Sequence, residues 1–99
     1  MKVETTGETL QVSGLKELGE NNAGIFRQQV LSALKKNQTR IEVDLSEMSF
    51  VDSRGLAALL ELKQSFDDEH AVRLRNPSPP VQQILEFTRM SNVFVIVKE

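Results

Sequence analysis

The sequence predicts one α/β domain over residues 1–99, with a mixed, mostly parallel sheet edged by an N-terminal hairpin and about three helices packed mainly on one face. Two patterns carry that expectation. Segments of two-residue apolar alternation give way to segments of helical spacing in the order strand, strand, helix, strand, helix, strand, helix, strand, which implies crossover connections and parallel pairing. The length, 99 residues with no linker or internal repeat, suffices for one modest core but cannot enclose a large substrate. Function is therefore expected on the surface.

Val3 and Thr5, then Leu10 and Val12, suit two short strands joined by a turn near Gly7-Glu8. Gly14, Gly19, Asn21 and Asn22 form a turn cluster from which a helix starts, with Asn21 or Asn22 as N-cap. That helix is predicted to reach Asn37, with Phe26, Val30 and Leu34 recurring every four residues and Ile25 and Leu31 widening the stripe. Lys35 and Lys36 then suit its negative C-terminal end. Arg40 to Ser46 alternates, with Ile41, Val43 and Leu45 on one face and Glu42, Asp44 and Ser46 on the other, so one sheet face is expected to be partly open. Met48, Phe50 and Val51 return the chain to the core before Asp52-Ser53. Leu56, Leu59, Leu60, Lys63 and Phe66 have helical spacing, while Gly55, Ala57 and Ala58 permit close approach of neighbours. The negative run Asp67-Asp68-Glu69 is unfavourable at a helix C-terminus and should end this helix. Val72 and Leu74 alternate with Arg73 and Arg75 as a further strand. Asn76-Pro77-Ser78-Pro79-Pro80 opens a third helix, with Ser78 as its expected cap and Val81, Ile84, Leu85 and Thr88 on its buried face. Val93 to Val97 is the last predicted strand.

Composition removes several classes of function. With 12 basic against 14 acidic side chains, no strong pull towards nucleic acid or anionic lipid is expected. Arg73 and Arg75, with Arg40 on a neighbouring strand, could form a small basic patch, but it lacks interleaved aromatic residues. The absence of cysteine excludes disulfides and thiolate metal sites, and one histidine argues against a histidine metal cluster. No apolar run approaches the roughly 18 residues of a membrane span, and the N-terminus lacks an apolar export segment, so a cytoplasmic location is expected. Asp67-Asp68-Glu69 lacks the alternating spacing of a calcium loop and reads as a solvated charge run. Ser53, Asp52 and His70 are residue types of a nucleophile triad. Yet no Gly-x-Ser-x-Gly elbow is present and His70 follows the acidic run, so no enzyme activity and no cofactor are expected.

The most informative stretch is Ile41 to Leu56, where a buried strand leads through a turn to a hydroxyl at a helix N-terminus. Ser53 lies where first-turn amides lack intrahelical partners and the helix dipole presents positive charge. From these letters alone it is either an ordinary capping residue or a hydroxyl at which a phosphate would be accommodated.

Asp44-Leu45-Ser46, then Phe50-Val51-Asp52-Ser53-Arg54-Gly55-Leu56, resembles the strand-turn-helix centre of the STAS family, the domain shared by sulfate transporters and bacterial anti-sigma-factor antagonists. Asn76-Pro77-Ser78-Pro79-Pro80-Val81, with Ile84-Leu85 and Phe94, resembles the family's later segment, so the likeness covers nearly the whole chain. The resemblance implies a partner-switching antagonist: unmodified, it binds an anti-sigma factor that is also a serine kinase; phosphorylated at Ser53, it is released; a serine phosphatase restores it. It further implies that Asp52, Ser53, Arg54 and Gly55 form the centre of the partner surface, with Gly19, Glu20, Asn21 and Asn22 beside them, in a monomer or weak dimer. A constitutive subunit of a transport assembly, such as one for phospholipid, is the alternative. Two departures stand out. Where family antagonists often carry Gly-x-Leu-Asp, this chain has Glu17-Leu18-Gly19, leaving Glu20 or Glu17 to supply the acidic group. Thr88-Arg89-Met90 replaces Thr-Gly-Leu, so a different helix end is expected.

Overall fold

A computed structural model describes residues 1–99. The hairpin strands β1 (Lys2–Thr6) and β2 (Thr9–Ser13) pair antiparallel across Gly7, whose φ of 60° lies in the left-handed region that glycine enters at no steric cost. A two-residue strand, β3 (Glu17–Leu18), precedes α1 (Ala23–Ala33). Strand β4 (Arg40–Asp44) is followed by a second two-residue strand, β5 (Phe50–Val51), and by α2 (Ser53–Gln64). Then come β6 (Val72–Arg75), α3 (Pro79–Phe87), one 3-10 turn (Met90–Asn92) and β7 (Val95–Val97). The main sheet has the order β1-β2-β4-β6-β7, parallel beyond the hairpin, and β3 and β5 form a separate parallel pair.

The alternation seen in the sequence decides which face is covered. Leu10 and Val12, Ile41 and Val43, and Val72 and Leu74 are buried and stand in register across β2, β4 and β6. Phe26 and Val30 of α1, Leu59 and Leu62 of α2, and Val81 and Leu85 of α3 join them in one core, with the three helices on a single face. On the open face Glu42 stands opposite Arg73, and Asp44 opposite Arg75. The expected basic patch is therefore not formed: carboxylates interleave with the guanidinium groups, and Arg75 also pairs with Glu99 at 2.8 Å.

Several boundaries differ from expectation for local reasons. α1 ends at Ala33, because Leu34 is extended (ψ 125°) and the buried Gln38 side chain accepts the Lys35 N–H at 2.9 Å. Lys35 and Lys36 thus lie beyond the helix. Ile25 does not widen the apolar stripe and is 59% exposed. α2 closes at Gln64, before Phe66. β7 is shorter than predicted, since Arg89 takes a left-handed φ of 63° and Met90–Asn92 forms the 3-10 turn instead. Arg89 thus takes the left-handed conformation that glycine usually supplies just past a helix end, so the replacement of Thr-Gly-Leu by Thr88-Arg89-Met90 does not by itself show the different helix end that was expected.

Candidate functional site

The site is assembled by the small β3-β5 pair. Leu18 and Val51 are buried opposite each other, while Glu17 and Phe50, also in register, are exposed. The Ser49 N–H donates to the Lys16 carbonyl at 2.9 Å and the Asp52 N–H to that of Leu18 at 3.2 Å. Two strand ends therefore finish side by side, one leading into residues 19–22 and the other into α2.

Asp52 joins them. As the N-cap of α2 it accepts the Gly55 N–H on Oδ1 at 2.9 Å, satisfying a first-turn amide. Its Oδ2 accepts the Glu20 N–H at 3.0 Å. The Gly55 and Glu20 donors hold the Asp52 carboxyl below the usual carboxylate range, because both bond its ionised form more strongly than its protonated form. Both neighbouring glycines stand at close approaches, Gly55 against backbone and Gly19 against the Asp52 carboxylate itself. A Cβ on Gly55 would lie 2.1 Å from the Leu18 carbonyl oxygen, and one on Gly19 would lie 2.6 Å from Asp52 Oδ2.

The loop is also tied internally. The Gly19 carbonyl accepts the N–H groups of Asn22 and Ala23, the Gly19 N–H donates to Asn22 Oδ1, and Asn22 Nδ2 donates to the Glu17 carbonyl. Asn22 thus occupies the N-cap position of α1 without capping it, since its side chain faces back into the loop.

Of the residues singled out in the sequence, Gly19, Glu20, Asn22, Asp52 and Gly55 are brought together by direct contacts. Ser53 and Arg54 are exposed on the first turn of α2, and Asn21 is exposed in the loop. Glu20 reaches Asp52 through its backbone, and Glu17 lies exposed in β3. Phe50, expected to return to the core with Met48 and Val51, is instead 51% accessible beside the site, because a two-residue strand is too short to display alternation. Sequence reasoning also missed the partner of Ser78, whose hydroxyl leaves the α3 cap and donates to the Met48 carbonyl, fixing the turn before β5.

The arrangement offers nothing for acyl transfer. His70 lies beyond the far end of α2, a twelve-residue helix about 18 Å long, and its neighbours Asp68 and Glu69 are exposed. No group of three or more His, Cys, Asp or Glu side chains could hold a metal ion. No helix is long and apolar enough to cross a membrane. What the site presents is a rigid exposed turn carrying one hydroxyl, one guanidinium and a bound carboxylate.

A family model described as "Mlab, STAS domain" matches residues 1–98. Among solved structures the chain is similar to the anti-sigma factor antagonist SpoIIAA in its unphosphorylated form (24% identity, TM-score 0.80, 99% of this chain and 88% of that one). It is similar to a Thermotoga maritima protein described as a candidate anti-sigma factor antagonist (20%, TM-score 0.87, 99% and 85%). It also resembles phosphorylated SpoIIAA, described as a Bacillus cell fate determinant (23%, TM-score 0.71, 99% and 91%). No curated protein matches the chain significantly.

Proposed function

Because this chain belongs to the STAS domain family, whose fold is regulatory and not catalytic, we propose that it is an anti-sigma-factor antagonist working by partner switching. In this reading the unmodified chain binds an anti-sigma serine kinase in the cytoplasm through Asp52, Ser53, Arg54 and Gly55, with Gly19 to Asn22 beside them. The kinase moves the γ-phosphoryl group of ATP to Ser53 Oγ, releasing ADP and the hydroxyl proton, and binding ends. A phosphatase hydrolyses the ester to serine and inorganic phosphate, and binding returns.

The observation that carries this reading is the exposed Ser53 hydroxyl at the first residue of α2, on a turn that Asp52 holds rigid. A phosphate there would add roughly −1.5 to −2 charges and three acceptor oxygens at one point. On a chain of formal charge −2, this about doubles the net charge. The test is incubation of the purified chain with each anti-sigma serine kinase of its organism and ATP, with the phosphate located by mass spectrometry and Ser53→Ala as control. The expected result is one phosphate, on Ser53. Phosphate on no residue, or on another, overturns the switch.

The family description names Mlab rather than an antagonist, and this favours a second reading. The chain would then be a constitutive subunit of a transport assembly, such as one for phospholipid, bound through the same surface with no serine switch.

A further inference from the structure

We propose that Asp52 is the positioning residue through which charge on Ser53 reaches the Gly19–Asn22 loop, so that phosphorylation changes the shape of the docking surface as well as its charge. The inference rests on the switch reading above and adds to it a physical route between the two halves of the surface.

The geometry supplies that route. Ser53 follows Asp52 directly, and the Asp52 carboxylate is shared between the two segments: one oxygen on the Gly55 N–H, the other on the Glu20 N–H. The Glu20 amide has this carboxylate as its hydrogen-bond acceptor. Gly19 leaves room for the shared carboxylate, whose Oδ2 lies 2.6 Å from where a Cβ would stand. Any side chain at position 19 and Asp52 in its present rotamer therefore exclude one another. In this chain the carboxylate between the two segments comes from the α2 side.

The two contacts of Asp52 differ in what supports them. The Gly55 contact lies within one helical turn, next to a backbone packed so tightly that no Cβ fits. The Glu20 contact spans 32 residues and holds an exposed loop. A dianionic phosphate on the adjacent residue repels the carboxylate and supplies new acceptor oxygens to the free first-turn amides. The bond to Glu20 is the one that can yield. Arg54, exposed on the same turn, is placed to pair with the phosphate rather than with Asp52 once both are present.

The experiment is amide hydrogen exchange by NMR on the full chain with serine, or genetically encoded phosphoserine, at position 53. Val43, buried in the central strand, reports global stability. The expected result is Glu20 exchange about tenfold faster or more in the phosphoserine chain, with Val43 unchanged. Asp52→Asn, which retains one acceptor oxygen but places an amide NH2 against the other donor, should accelerate Glu20 exchange in the serine chain. Phosphoserine should then add little further acceleration. A purely structural role for Asp52 predicts additive effects instead, and additivity overturns the proposal. So does equal Glu20 protection in the serine and phosphoserine chains. If the phosphoserine chain loses its partner while Glu20 is unaffected, the coupling fails and the switch stands. If Glu20 responds but partner binding does not, the coupling stands and the switch fails.

Discussion

At the N-terminus of α2 an Asp side chain caps its own helix, whereas at the N-terminus of α3 a Ser side chain turns away from its helix and bonds a carbonyl thirty residues back in the chain. Both helices follow a short turn, and both have a preferred capping residue at the boundary. The difference lies in what each helix requires. α3 begins with Pro79 and Pro80, which have no N–H groups to satisfy, so the Ser78 hydroxyl is free to fix Met48 and the approach to β5. α2 begins with Ser53, Arg54 and Gly55, whose amides need an acceptor, and Asp52 supplies it while using its second oxygen on the loop. A capping residue thus marks where a helix starts, and the donors that follow decide what its side chain does. Together the two termini hold the site: Asp52 from within and Ser78 from behind.

The largest effect should come from Gly55→Ala. Alanine gains up to about 1 kcal/mol over glycine in a helix. Here, however, its Cβ would lie 2.1 Å from a strand carbonyl that cannot move without displacing β3. A net loss of about 3 kcal/mol is expected, read as a lower urea midpoint with unchanged slope. An unchanged or higher midpoint would mean that β3 and α2 are not clamped. Gly19→Ala should cost less, because the obstructing group is a carboxylate that can rotate; the rotation gives up the Glu20 bond, so faster exchange of that amide should accompany the loss. Ser78→Ala removes one hydroxyl-to-carbonyl bond and should cost about 1 kcal/mol, without altering the start of α3. If α3 frays at Pro79, the hydroxyl is acting as a cap after all.

The smallest effect is that of acid. A carboxyl whose native value is depressed stabilises the fold above its ordinary value, and that contribution is lost as pH falls through the native value. The Asp52 carboxyl ordinarily titrates at 3.8, and its bonds to Gly55 and Glu20 lower it, so the Glu20 amide shift should hold through pH 3.8 and change only below it. A midpoint at or above 3.8 would show that the bridge is not formed in solution.

The fold was legible because its core strands alternate and its helices repeat over several turns, as in Ile41-Val43-Leu45 and Phe26-Val30. Where bonds bridge distant residues, the letters were silent. Asn22 looked like a cap and instead closes the loop through Glu17 and Gly19. The end of α1 is set by Gln38, whose burial no periodicity announces. Phe50 sits in a strand of two residues, so its exposure is decided by the pairing with β3. The cap Asp52 has a local cause in the Gly55 N–H three residues on, whereas the need for glycine at 55 comes from the Leu18 carbonyl, far away in the chain. The link to Glu20 spans 32 residues and only the folded chain brings it about.

In the proposed partner switch, a charge on Ser53 decides whether the partner binds. The direct measurement is calorimetric titration of the purified anti-sigma serine kinase with the serine-53 and phosphoserine-53 chains at the same ionic strength. Like charges placed at an interface cost several kcal/mol, so the phosphoserine chain should bind at least about tenfold more weakly. Equal affinity for the two chains would contradict the account and leave the surface around Ser53 as a constitutive contact.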